Sequence, residues 1–181
     1  MHRADIDCGS IGLPGADAAQ LWPRRFAREG GLAPFSTEAG VPETTLFSRR
    51  AGDGVVASLK NAGLGARFLA RLADLARLPG EMRALLDGDC APKTVSEYAD
   101  GAGIGIVEAA RGLLLHVVRL HNGQVDRYRI VSPTDWNFDR QGIAARCLAT
   151  LDGHHDEDER VALAHLIVNA IDPCVAYEVR A

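Results

Sequence analysis

Near the end of the chain, Asp172-Pro173-Cys174 places a thiol just past a segment of helical periodicity, with the proline fixing the backbone beside it. A thiolate there has the chemistry of a nucleophile or a soft metal ligand. Residue type alone favours the plainer role of a small buried hydrophobe. His154-His155-Asp156 offers metal-ligand residue types. Adjacent imidazoles point in different directions on most backbones, however, and this pair stands in an acidic helix entry, which favours a solvated cap. His165 falls inside the same helical pattern and is expected to be a satisfied, partly buried histidine. Gly101, Gly103 and Gly105 are similar to part of a phosphate-binding turn, but the strand before and the helix after that such a turn needs are missing. The stretch is expected to be a flexible approach to a hairpin. No Ser/His/Asp set can be picked out by spacing.

The elements that must position these residues differ between the two halves. Residues 1 to 55 are punctuated by Pro14, Pro23, Pro34, Pro42 and eight glycines, so short helices and loops are expected, the best of them over Asp17 to Glu29. Leu64, Phe68, Leu72, Leu75 and Leu78 recur at three- and four-residue spacings, with Arg67, Arg71, Asp74 and Arg77 on other faces, which predicts an amphipathic helix with the leucines inward. Pro79-Gly80 should interrupt it, and a shorter helix over Glu81 to Leu86 should end at Gly88 in a left-handed cap.

From Leu113 to Leu120 and from Gln124 to Val131 the chain is rich in strand formers, and Asn122-Gly123 between them is a strong hairpin signal, because both residues accept positive φ. The expected register sets Leu113, Leu115 and Val117 beside Tyr128 and Ile130. A loop through Trp136 to Gly142, a short helix from Ile143 to Leu151 and a last helix from Asp156 to Ala170 should come next. The run Asp156-Glu157-Asp158-Glu159 suits the positive end of that last helix, whose inward face should carry Val161, Leu163, Ala164, Leu166, Ile167 and Val168. The fold class is α+β, mostly helical with one central β-hairpin.

Composition narrows the function classes. The 181 residues make one ordinary domain, 47% hydrophobic, so a core can form and a separate cofactor domain has no room. Residues 1–100 and 101–181 are expected to share one compact domain. Twenty basic against twenty-four acidic side chains give a formal charge of −4, with no basic excess to neutralise a phosphate backbone, so nucleic acid is not an expected partner. The apolar runs are far short of the roughly 20 residues of a membrane span. The first ten residues lack the pattern of a secretory signal, and the cytoplasm is the default compartment. Cys8, Cys90, Cys147 and Cys174 form no CxxC pair and are expected as free thiols in a reducing compartment.

Three segments in one order carry a resemblance. Glu108 to His116 (EAARGLLLH), His121 to Asn137 (HNGQVDRYRIVSPTDWN) and Asp172 to Arg180 (DPCVAYEVR) resemble the C-terminal region of nickel-iron hydrogenase large subunits, over about residues 101 to 181. In that family two CxxC motifs hold a nickel and an iron that carries cyanide and carbon monoxide. Here Cys174 stands at the first cysteine of the C-terminal motif, Tyr177 at the second and Arg180 at the following histidine. Cys8-Gly9-Ser10-Ile11 is at most a remnant of the N-terminal motif. A phenol does not replace a soft thiolate bridging nickel and low-spin iron, so no stable nickel-iron centre is expected.

The resemblance is therefore to a shortened paralogue, of the HupK/HoxV type associated with hydrogenase expression and formation. It implies a non-catalytic scaffold or chaperone that holds or transfers an iron-cyanide-carbonyl unit, with hydrogenase maturation proteins and the large-subunit precursor as partners. It assigns Cys174 as the candidate metal ligand, with Arg111 and Thr134 as donors to the diatomic ligands, since anionic iron-dicyanide calls for cationic or hydrogen-bond donors. For Arg111 a salt bridge to Glu108 or Asp172 is the structural alternative. The family's proline is Ala110 here, and Phe138-Asp139-Arg140 departs from its pattern. The resemblance also leads us to expect no C-terminal trimming, because Arg180 occupies the position after which large subunits are cut. Two rivals stay open: a metal-free interaction module, and a degenerate hydrogenase subunit, which would need four suitably placed thiolates.

Overall fold

A computed structural model describes residues 41–59, 63–88, 94–99, 101–151 and 156–180. The helix expected over Asp17 to Glu29, the Cys8 remnant, Cys90 and the His154-His155 pair lie outside the described residues.

Two short helices, α1 (Leu46–Arg49) and α2 (Gly54–Ala57), lead into the long α3 (Gly63–Leu86). Asp53 caps α2 by accepting from Val55 N at 2.9 Å. Pro79 does not divide α3 as expected. It lies inside one continuous helix, where its neighbours Leu75, Leu78 and Met82 are exposed, so water can solvate the carbonyl that the proline leaves without a donor. Gly88 takes φ 77° beyond the C-terminus, the left-handed cap the sequence predicts.

The inward face of α3 is also not the expected one. Leu64, Ala66, Arg67, Ala70 and Asp74 are buried, while Leu72, Leu75 and Leu78 face outward. The cause is ion pairing. Arg67 donates to both carboxylate oxygens of the buried Glu43, at 2.9 and 2.7 Å, and packs over the Phe47 ring at 5.2 Å. Arg50 Nε donates to Asp74 Oδ1 at 2.7 Å. Satisfied charges can enter a protein interior, and here they turn the helix.

One hairpin is too few strands. β1 (Thr94–Ala99), β2 (Ala102–Ala109), β3 (Gly112–His121) and β4 (Gln124–Val131) form a four-stranded antiparallel sheet in that order. The glycine-containing stretch after Gly101 is strand β2, not a flexible approach. Asn122 and Gly123 turn β3 into β4 with φ of 51° and 76°. The register slips, however: Leu120 faces Val125, but Arg119 faces Arg127, leaving Asp126 as an extra residue in β4. One added residue exchanges the faces of everything beyond it. Leu115 therefore meets Val131, whereas Tyr128 and Ile130 meet Val118 and His116 on the solvent side, not Leu113, Leu115 and Val117 as expected.

Beyond the sheet the chain forms α4 (Pro133–Asn137), α5 (Ile143–Leu148) and α6 (Glu157–Ile171). α4 replaces an expected loop. Ser132 and Asp135 make a reciprocal capping box, with Pro133 in the first turn. Asp156 caps α6, accepting from Glu159 N at 2.7 Å. Ala164, Ile167, Val168, Ala170 and Ile171 are buried, while Leu166 is exposed, contrary to expectation.

Among the described residues, three apolar clusters hold these elements. Ile104, Leu115, Val117 and Val131 from the sheet pack with Val41 and Trp136. Leu64 of α3 joins Ile143, Cys147, Ile167 and Ile171 of α5 and α6. Phe47 and Val56 meet Ala66 and Ala70. Cys147 is disulfide-bonded, which corrects the expectation of four free thiols; Cys174 is the free cysteine among the described residues.

Candidate functional site

The site is assembled where the β2–β3 turn, α4 and the segment after α6 come together. Arg111 sits in that turn and is followed by Gly112, whose φ is 144°. A Cβ on Gly112 would lie 2.5 Å from Thr44 O and 3.0 Å from Pro133 Cβ, so only glycine lets the turn lie against both segments. Thr44 is fixed in turn, because its N–H donates to Oδ1 of the buried Asn137 at 2.9 Å. Gly112 thus lies close against Thr44 and against Pro133 at the start of α4.

α4 presents Thr134 toward the chain end. Cys174 N donates to Thr134 Oγ1 at 3.4 Å, tying the cysteine's backbone to the helix. Asp172 is the C-cap of α6, in the left-handed region with φ 66°, a conformation that aspartate tolerates better than most residues. Its carboxylate lies 3.1 Å from Arg111 Nε and 3.7 Å from Arg71. Arg71 also donates to the Asn169 and Ala170 carbonyls at 2.8 and 3.3 Å, so a cation closes the helix end.

Among the three candidate site residues, Thr134 and Cys174 are joined by a hydrogen bond, and Arg111 is joined to the Cys174 segment through Asp172, two residues before it. Asp172 is one of the two alternatives raised for Arg111. The other, Glu108, pairs with Arg49 at 3.3 Å instead. The Cys174 side chain is exposed, not the buried hydrophobe that residue type favours. Tyr177 turns to α6: its hydroxyl donates to Asn169 Oδ1 at 2.9 Å and lies 3.3 Å from His165 Nδ1. His165 is therefore satisfied but exposed, not partly buried.

Beside this junction an open cleft of about 950 Å³ runs between α3 and the end of β2, lined by Arg49, Arg71, Leu75, Leu85, Val107 and Arg111 among others. Sequence reasoning missed Glu43 and Asn137, and reached Asp172 only as a salt-bridge alternative for Arg111. Asn137 follows the Trp136 that anchors α4 in the core. The signal for α4 itself was available in Ser132 and Asp135, three residues apart. No group of three or more His, Cys, Asp or Glu side chains among the described residues could hold a metal ion. Among the described residues no helix is long and apolar enough to cross a membrane.

A sheet meander whose Arg-Gly turn meets a capped Pro-Thr helix and an Asp-Pro-Cys segment defines a class, and residues 38–180 match the nickel-dependent hydrogenase family. The chain belongs to that family. It is 42% identical over 90 residues to the hydrogenase expression/formation protein HupK of Azotobacter vinelandii, covering 50% of this chain and 26% of that protein. It is 34% identical over 161 residues to the protein of the same name from Rhizobium leguminosarum bv. viciae, covering 86% and 42%. A variant NiFeSe hydrogenase from Desulfovibrio vulgaris Hildenborough superposes with a TM-score of 0.51 at 26% identity, over 74% of this chain and 31% of that one. The chain thus spans less than half the length of these curated relatives.

Proposed function

We propose that this protein serves hydrogenase maturation as a non-catalytic scaffold, taking an iron-cyanide-carbonyl unit as its cargo. One arrangement carries the proposal: Asp172 joins Arg111 to the segment bearing the exposed Cys174, while Thr134 holds that segment's backbone. A single accessible thiolate suits reversible capture of one iron. The guanidinium has five N–H donors, more than one half-exposed carboxylate uses, and keeps its charge at any physiological pH. Tyr177 at the second motif position bonds to α6, which suits retention without a binuclear centre. Hydrogenase maturation proteins and the large-subunit precursor are the proposed partners, and the relatives' names support that role.

A second proposal has its own observation. The Arg111 charge is already answered by Asp172, as a structural ion pair would be, which favours a metal-free interaction module. Complementation separates the two. In a host lacking the gene, Cys174→Ala should fail to restore hydrogenase activity while Tyr177→Phe restores it. Full restoration by Cys174→Ala would leave the interaction module.

A further inference from the structure

α3 carries an exposed apolar stripe, of which Leu75, Leu78 and Leu85 also form one wall of the cleft against β2. Leu72, Leu75, Leu78, Met82, Leu85 and Leu86 follow three- and four-residue spacings and are 40% to 87% exposed. At 100° per residue the stripe is centred about a quarter turn from the face that packs on the body. Three of the charges within this stretch are drawn off it: Asp74 and Glu81 pair with Arg50, and Arg77 pairs with Asp53. The stripe is left free of the ion pairs that usually break up a solvent face.

Its size and symmetry indicate the occupant. Six side chains at that exposure present about 600 Å², the upper end of what a monomer's largest apolar patch shows. Two copies face to face would remove about 1,200 Å² from water, which reaches the range of specific interfaces. Two pairs of the stripe mirror each other about Leu78-Pro79, Leu72 with Leu85 and, nearer the centre, Leu75 with Met82, while Leu86 falls opposite Arg71. A two-fold interface demands this self-match, since each position must be complementary to its mirror position in an identical surface.

We infer that α3 is a homodimer interface, two copies packing their leucine stripes antiparallel about Leu78-Pro79. Sedimentation of the full chain over a range of concentrations should show a monomer–dimer equilibrium. Leu75→Glu with Met82→Glu should weaken self-association about thirtyfold or more while leaving the far-ultraviolet circular dichroism unchanged. Leu78→Cys in a Cys174→Ser background should form a cross-linked dimer on mild oxidation, since that position lies beside the two-fold axis. A wild-type chain that stays monomeric, or a double glutamate variant that dimerises as tightly as wild type, would overturn the inference and leave the stripe to another segment of this chain or to another protein.

Discussion

Arg111 Nε lies 3.1 Å from Asp172 Oδ2, and this contact joins the β2–β3 turn to the C-cap of α6. Both side chains are partly open to solvent, so the pair orders two segments more than it stabilises them. In a double-mutant cycle of Arg111→Leu and Asp172→Asn, the coupling should be about 0.5–1 kcal/mol by urea denaturation. A coupling several times larger would mean that the pair is a stability element rather than a site element.

The turn itself should matter more. Gly112→Ala would drive a Cβ into Thr44 O and Pro133, at a positive φ, and should cost about 2 kcal/mol or more. Gly123→Ala also has positive φ but no atom within 4 Å of its Cβ, and should cost only about 1 kcal/mol. Thermal melts of the two variants should rank in that order.

Glu43 and Arg67 are buried and paired through both carboxylate oxygens. Removing one partner breaks a buried two-point ion pair and leaves Glu43 without its guanidinium, so Arg67→Met should destabilise by about 3–5 kcal/mol. Adding Glu43→Gln should recover part of that loss. Equal stability of the single and double variants in denaturant would show that the charge is not what the site answers.

At the β4 bulge, the hydrogen bond from Arg119, with its positive charge close by, holds the Asp126 carboxyl below the usual carboxylate range. A depressed folded-state value means that the contribution is fully present above the unfolded value and is lost as pH falls through the folded one. The wild type should therefore lose stability on acidification below the ordinary aspartate range by more than Asp126→Asn does. Parallel acid titrations followed by circular dichroism would contradict this.

These residues also show what could be seen before the structure. The Asn122-Gly123 turn and the acid-capped start of α6 were legible because local chemistry sets them: two positive φ values in the first, a carboxylate on free N–H groups in the second. The strand register was not, because one extra residue, Asp126, exchanges the faces while leaving the alternating pattern intact. The orientation of α3 was hidden for a different reason. Its leucines make the obvious stripe, but Glu43 and Arg50, far away in sequence, draw Arg67 and Asp74 inward. In the candidate site, the motif resemblance singles out Cys174, Arg111 and Thr134, whereas it offers Asp172 only as a salt-bridge alternative. Its role as the link depends on how α6 ends, which no spacing reveals.

The scaffold proposal turns on whether the exposed Cys174 holds iron. Infrared spectra of the protein, purified without air from cells expressing the hydrogenase maturation genes, should show bands of bound carbonyl and cyanide that vanish in Cys174→Ala and persist in Tyr177→Phe. Absence of those bands from the wild type, or their persistence in Cys174→Ala, would contradict it.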